Sequence, residues 1–216
     1  MSGHQNNVNS IRKLFFYKKR TVIASSSDDG TIFLWNYNKS TNLFQKYKEI
    51  KLGKNRIQSL EESIKYEQLI SGLCRFGIIF YNLNNQQIQK INMNVNNCIR
   101  AIKIIDEGDI LIVAGNQEIN LINIDTKLNV FCMRFSLKCE FNCIFQKKNN
   151  NILITEYGDI CKIKEFKFDK KNKSLNLLST REKDFNSYIT IINELDNGDL
   201  IIGGYDKKLI LYSNHS

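Results

Sequence analysis

Proline is absent from this 216-residue chain, and histidine and tryptophan are scarce, with two and one residues. Without proline, no proline-rich linker divides the chain. No apolar run approaches the roughly 20 residues that a membrane-spanning helix needs. The start, Met1-Ser2-Gly3-His4-Gln5-Asn6-Asn7, is polar and lacks the apolar stretch of a secretory signal. These absences lead to the expectation of an intracellular protein, cytoplasmic or nuclear, without membrane insertion. There is also no Gly-rich phosphate loop, because Gly203-Gly204 ends a strand.

Six cysteines stand at 74, 98, 132, 139, 143 and 161. Without a secretory signal, most are expected to be reduced and to pack as small hydrophobes. Cys139 and Cys143 lie four positions apart, but no second Cys pair or His pair is near enough to complete a zinc site, so no metal and no cofactor is expected. The formal charge of +9 raises nucleic acid or acidic proteins as partners. A composition heavy in Asn, Ile and Lys accounts for part of that excess.

The most informative stretch runs from Ser25 to Asn36. A strand ends in Ser25-Ser26-Ser27, Asp29-Gly30 turns the chain, and the alternating strand Thr31–Asn36 carries the single Trp35. Weaker copies follow. Asp106, Gly108 and Asp109 match Asp196, Gly198 and Asp199 at a shift of 90, two periods of about 45. Asp29 and Trp35 return as Asp206 and Tyr212, both at a shift of 177. Ile79-Phe80-Tyr81-Asn82 repeats Phe33-Leu34-Trp35-Asn36, Leu121-Ile122-Asn123 repeats it faintly, and the copy at Asn151–Ile160 has lost the aromatic. Inner strands are expected at Val8–Phe16, Ile57–Ile64, Cys98–Ile105, Phe141–Phe145 and Tyr188–Leu195. Outer strands are expected at Phe44–Leu52, Ile88–Met93, Val130–Leu137 and Leu175–Thr180. No helix is expected.

This pattern closely resembles the WD-repeat (WD40) family. The resemblance implies an all-β propeller or partial propeller, read as a single domain over residues 1–216 with about five four-stranded blades. Complete members usually have seven, so the array reads as incomplete. The resemblance also implies a structural tetrad in the first blade, in which Asp29 holds His4, His4 reaches Ser27, and Ser27 meets the indole N–H of Trp35. A catalytic reading of Ser27, His4 and Asp29 is weaker, because the spacing matches a stabilising network. The family's function is to dock partners without chemistry, so the chain is expected to be a non-enzymatic scaffold in a multiprotein complex, with no small-molecule substrate.

Loop positions then assign candidate surfaces. One rim carries Lys54, Arg56, Arg75, Phe76, Tyr157, Tyr188 and Tyr205, residue types that dominate protein interfaces. The opposite rim carries Lys18, Lys19, Arg20, Lys147, Lys148, Lys170, Lys171 and Lys173, interrupted by Asp106–Asp109 and Asp196–Asp199. Were the basic groups contiguous, this rim would suit RNA, and a ribonucleoprotein role is the alternative reading. The acidic clusters themselves read as solvent-facing turns. Inner strands offer Asn9, Arg12, Glu61, Glu62, Arg100 and Asn142, with no convergent set for catalysis.

Overall fold

The computed structural model describes residues 3–75, 77–93, 98–115, 117–135, 139–158, 160–182 and 188–213. Five antiparallel sheets follow one another along the chain. The first contains β1 (Val8–Leu14), β2 (Val22–Ser27), β3 (Thr31–Asn38) and β4 (Leu43–Lys51). The second contains β5 (Ile57–Ser63), β6 (Gln68–Leu73), β7 (Gly77–Asn82) and β8 (Ile88–Ile91). The third contains β9 (Ile99–Ile105), β10 (Ile110–Gly115), β11 (Glu118–Asn123) and β12 (Asn129–Arg134). The fourth contains β13 (Glu140–Gln146), β14 (Ile152–Tyr157), β15 (Lys162–Asp169) and β16 (Ser174–Arg181). The fifth contains β17 (Ile189–Glu194), β18 (Leu200–Gly204) and β19 (Leu209–Tyr212), three strands among the described residues. Apart from a single 3-10 turn at Asp106–Gly108, no helix is present among these residues, and none is long and apolar enough to cross a membrane.

The sheets are the blades of a propeller. Strands β1, β5, β9, β13 and β17 line a common channel of about 420 Å3. Each joint between successive blades is filled by one apolar cluster. Ile32, Leu34 and Ile50 meet Leu60, Ile79 and Tyr81 in the first joint, and Ile70, Ile78 and Phe80 meet Ile99, Leu111 and Val113 in the second. Leu121 and Phe131 meet Ile154, Phe166 and Leu175 in the third, and Leu153 and Ile163 meet Ile192, Leu200 and Ile202 in the fourth. Alternation along β10 explains why its whole run is apolar: Ile110, Ile112 and Ala114 enter one joint, while Leu111 and Val113 enter the other. Each such fully buried aliphatic or aromatic side chain contributes about 1.5–3 kcal/mol.

Two glycines show how tightly successive blades are linked. Gly30 (φ +80°) closes the turn between β2 and β3, and a Cβ there would lie 2.0 Å from the Gly53 carbonyl oxygen. Gly77 (φ +96°) stands at the equivalent place in the second blade, 2.1 Å from Ile91 O by the same measure. In both blades the outer strand's exit folds over the turn that precedes the third strand.

The expectation that most cysteines are reduced holds for four of the six, and one pair is oxidised. Cys74 and Cys98 are joined in a disulfide between the second and third blades. The β-bridge they form outside the main ladders brings the two side chains together. Cys132, Cys143 and Cys161 are free thiols, and the Cys139 thiol donates to Glu156 (2.9 Å).

Candidate functional site

Every inner ladder is broken at the same place. The pairing of β1 with β2 skips Asn9, and the corresponding breaks fall at Gln58, Arg100, Asn142 and Thr190. A β-bulge leaves one residue unpaired and re-aims its side chain. All five of these polar side chains line the channel. Four of them also tie blades together. Asn9 donates to Asp28 (2.7 Å) and to the Ile57 carbonyl (3.0 Å), and Gln58 donates to the same Asp28 oxygen (2.9 Å). Arg100 donates to Asn142 (3.4 Å) and pairs with Glu140 (3.1 Å).

Beside this ring, three tyrosines from the fourth and fifth blades form a ladder. Tyr157 stacks on Tyr188 with centroids 3.8 Å apart, and Tyr205 meets Tyr188 edge-on at 5.9 Å. The Tyr188 hydroxyl donates to Glu140 (3.0 Å), and the Arg100 guanidinium lies 5.9 Å from the Tyr188 ring. Burial and the Glu140 carboxylate both push the Tyr188 phenol upward in pKa, so it stays a donor. Tyr205 is 73% exposed and lines the channel mouth. Lys54, Arg56 and Arg75 are exposed on loops of the second blade, and the Arg56 carbonyl accepts the N–H of Cys74 (3.0 Å). Phe76 lies outside the described residues.

The first-blade network is formed, with a corrected serine. Trp35 Nε1–H donates to Ser25 Oγ (2.8 Å), Ser25 Oγ lies 2.8 Å from His4 Nε2, and His4 Nδ1 lies 3.0 Å from Asp29 Oδ2. Ser27 is not a member. It starts the turn, where its hydroxyl accepts from the Asp29 N–H (3.1 Å) and donates to Asn6 O (3.3 Å). Strand register decides this: Trp35 pairs with Ile23, so the hydroxyl two residues along β2 is Ser25. Thr31 adds a further bond to Asp29 (2.6 Å). The Ser25–His4–Asp29 order mimics a hydrolytic triad. However, Ser25 is only 4% exposed and its oxygen is occupied by the indole, so no substrate reaches it.

Burial opposes ionisation of Asp29, but donors from Thr31, Gln5 and His4 outweigh it and bring its pKa down to about 2. The ordinary value is 3.8, so this carboxylate contributes stability in full above about pH 4 and loses it as pH falls towards 2. The Asp29→Asn variant is therefore expected to reduce by about 2 kcal/mol the loss of unfolding free energy between pH 5 and pH 2. Denaturant titrations of both proteins at each pH check this, and parallel pH profiles would count against it.

In later blades the network gives way to apolar packing. Ser71 and Tyr81 occupy the places of Ser25 and Trp35, and both hydroxyls are buried without a partner. By the same register the third blade has Val113 and Ile122, the fourth Ile154 and Phe166, and the fifth Ile202 and Tyr212. The fourth blade thus keeps an aromatic, at Phe166 on β15, which the sequence reading had missed.

The basic rim is not a continuous cationic surface. Lys170 and Lys173 pair with Asp106 (3.2 and 2.6 Å), and Lys170 also reaches Glu107 (3.3 Å). Asp106 is buried by these contacts rather than facing solvent, and the hydrogen bonds from Lys173 and Lys170 overcome the cost of burial to lower its pKa. Lys148 pairs with Asp196 (3.1 Å). Lys147 is only 5% exposed and faces Glu165 (3.4 Å). Arg20 stacks on Tyr17 and Tyr47 (4.8 and 4.6 Å). Lys18, Lys19 and Lys171 are exposed. The candidate carboxylates are engaged too. Glu61 pairs with Arg12 (3.0 Å) and Lys103 (3.5 Å), and Glu62 accepts the N–H groups of Phe15 and Phe16 (2.7 and 2.8 Å). Each bond joins the second blade to a neighbour.

Residues 1–36 match the family model of the WD domain, G-beta repeat. No curated protein matches the chain in sequence. Among solved structures, the β-propeller domain of Cps50 (Swd1) from Myceliophteria thermophila is similar, with a TM-score of 0.69 at 13% identity, over 100% of this chain and 75% of that one. A chain in a crystal structure of the Mitotic Checkpoint Complex gives a TM-score of 0.81 at 14% identity, over 100% of this chain and 66% of the other. At such identities the likeness concerns the fold. Residues 1–36 thus match a WD repeat, and the described residues as a whole fold as a five-bladed β-propeller.

Proposed function

We propose that this protein is a non-catalytic, intracellular scaffold that docks another protein on the rim formed by the tyrosine ladder and the mouth of the channel. The observation that carries this is the exposed Tyr205 continuing a stacked Tyr157–Tyr188 pair beside Arg100. Aromatic and arginine side chains held rigid in advance supply binding free energy with little ordering cost. Exposed Lys54, Arg56 and Arg75 on the second blade favour an acidic segment in the partner. A similar propeller occurs in a multiprotein assembly, the Mitotic Checkpoint Complex, which supports a subunit role. Pairing of the opposite rim's lysines with Asp106, Glu107 and Asp196 weighs against a phosphate-tracking surface.

The test is purification of tagged protein from the cells that make it, at moderate salt, with and without nuclease. A defined set of proteins is expected to survive nuclease. The double variant Tyr205→Ala, Arg100→Ala is expected to capture that set at least tenfold less, while remaining folded. Capture that disappears with nuclease, or is unchanged in the variant, would overturn the proposal.

A further inference from the structure

We propose that Cys74 and Cys98 form a redox latch that controls the docking rim, a regulation that rests on the rim reading above. The disulfide joins the residue after β6 to the residue before β9, and so couples two blades. Its position, at the rim, links three cations. Cys74 holds the Arg56 carbonyl and is followed by Arg75, whose φ of 75° marks a left-handed turn. Cys98 precedes by two residues the bulged Arg100, which reaches Glu140 and Tyr188. The bond also closes a ring of sequence separation 24 that contains β7 and β8, the outer hairpin of the second blade. Reduction removes that covalent closure from the hairpin.

Competing thiols are disfavoured. Cys143 sits in the joint between the fourth and fifth blades, and burial pushes its pKa up to about 11. Burial also raises the thiols of Cys132 and Cys161, so little thiolate is present on any of the three. In the forming reaction the thiolate of Cys98, the more exposed partner, attacks a low-molecular-weight disulfide such as glutathione disulfide and expels one glutathione thiolate. The Cys74 thiolate then attacks the Cys98 sulfur of the mixed disulfide and expels the second glutathione. Two protein thiols are oxidised, one glutathione disulfide is reduced to two glutathiones, and the protons of the protein thiols pass to them.

The experiment equilibrates the whole protein in oxidising and reducing glutathione buffers, traps free thiols, and maps peptides by mass spectrometry alongside amide hydrogen exchange. The expected result is a Cys74–Cys98 cross-linked peptide in the oxidising buffer, with the other four cysteines alkylated. On reduction, exchange in β7, β8 and the start of β9 is expected to rise at least tenfold, with β14 to β18 unchanged. Partner capture is expected to change at least threefold between buffers, and to show no buffer dependence in Cys98→Ser. Wild-type protein with and without reductant carries the test if that variant does not fold.

Absence of the cross-link, or a cross-link with unchanged exchange and capture, would overturn the latch. The rim and the latch fail separately. Loss of capture in Tyr205→Ala, Arg100→Ala without a cross-link removes only the latch. A cross-link and altered exchange with capture indifferent to those substitutions removes the rim reading, and the latch's control of it as well.

Discussion

Replacing Trp35 with alanine is expected to lower the unfolding free energy by about 3–5 kcal/mol. The side chain is buried on the first blade, meets Phe33 edge-on at 5.7 Å, and gives Ser25 its hydrogen bond. Removal leaves a cavity and frees one end of a network whose remaining members, Ser25, His4 and Asp29, depend on one another. Trp35→Phe keeps one aromatic ring but loses the N–H and part of the buried indole, so it is expected to cost less than the alanine variant, about 1–3 kcal/mol. Because Trp35 is the only tryptophan, the comparison requires circular dichroism rather than tryptophan emission. A loss below about 1 kcal/mol for the alanine variant would mean that the network does not hold the blade.

The second large effect is expected at Gly30. Two causes add there: a left-handed φ of +80°, which costs a residue with a Cβ about 1–2 kcal/mol, and a Cβ position 2.0 Å from Gly53 O. Gly53 O is backbone and cannot rotate away. Relief requires the segment after β4 to lift, which breaks the Leu52 N–H bond to Gly30 O (3.0 Å). Gly30→Ala is therefore expected to cost about 3 kcal/mol or more. Gly53→Ala is the matched control, with φ +89° and nothing within 4 Å of the added carbon, and is expected to cost only about 1 kcal/mol. Equal costs in denaturant titrations would show that backbone conformation, and not the contact between linker and turn, makes Gly30 necessary.

The fold was legible because its signals are local. The expected inner strands Ile57–Ile64 and Cys98–Ile105 coincide with β5 and β9 to within one residue at each end. The candidate site was less legible, because its details depend on register and on contacts between distant segments. Ser25, Ser26 and Ser27 are chemically alike, and only the pairing of Ile23 with Trp35 selects the first. Phe166 is not apparent locally, because β15 begins beyond the Asn151–Ile160 repeat and no Asp-Gly turn stands directly before it. The ion pairs of Lys170 and Lys173 with Asp106 span 64 and 67 residues and have no local signature. The Cys74–Cys98 bond likewise depends on how the second and third blades meet.

The bulge ring did leave a trace in the sequence. Val8-Asn9-Ser10-Ile11, Ile57-Gln58-Ser59-Leu60, Ile99-Arg100-Ala101-Ile102, Phe141-Asn142-Cys143-Ile144 and Ile189-Thr190-Ile191-Ile192 share a form. An apolar residue precedes the bulged residue, and an aliphatic returns two positions after it. Aligning inner strands on this four-residue pattern, instead of on the Asp-Gly turns, would have found all five channel positions.

The bulges also separate two properties that usually change together in a β-sheet. A side chain in a regular ladder belongs to one face, so exchanging it disturbs the joint that face fills. The side chains of Asn9, Gln58, Arg100, Asn142 and Thr190 have left that alternation and belong to none of the four apolar clusters. Each can therefore be replaced without emptying an apolar joint, and the opening of the channel can take on a different charge or shape at the cost of polar ties between blades alone.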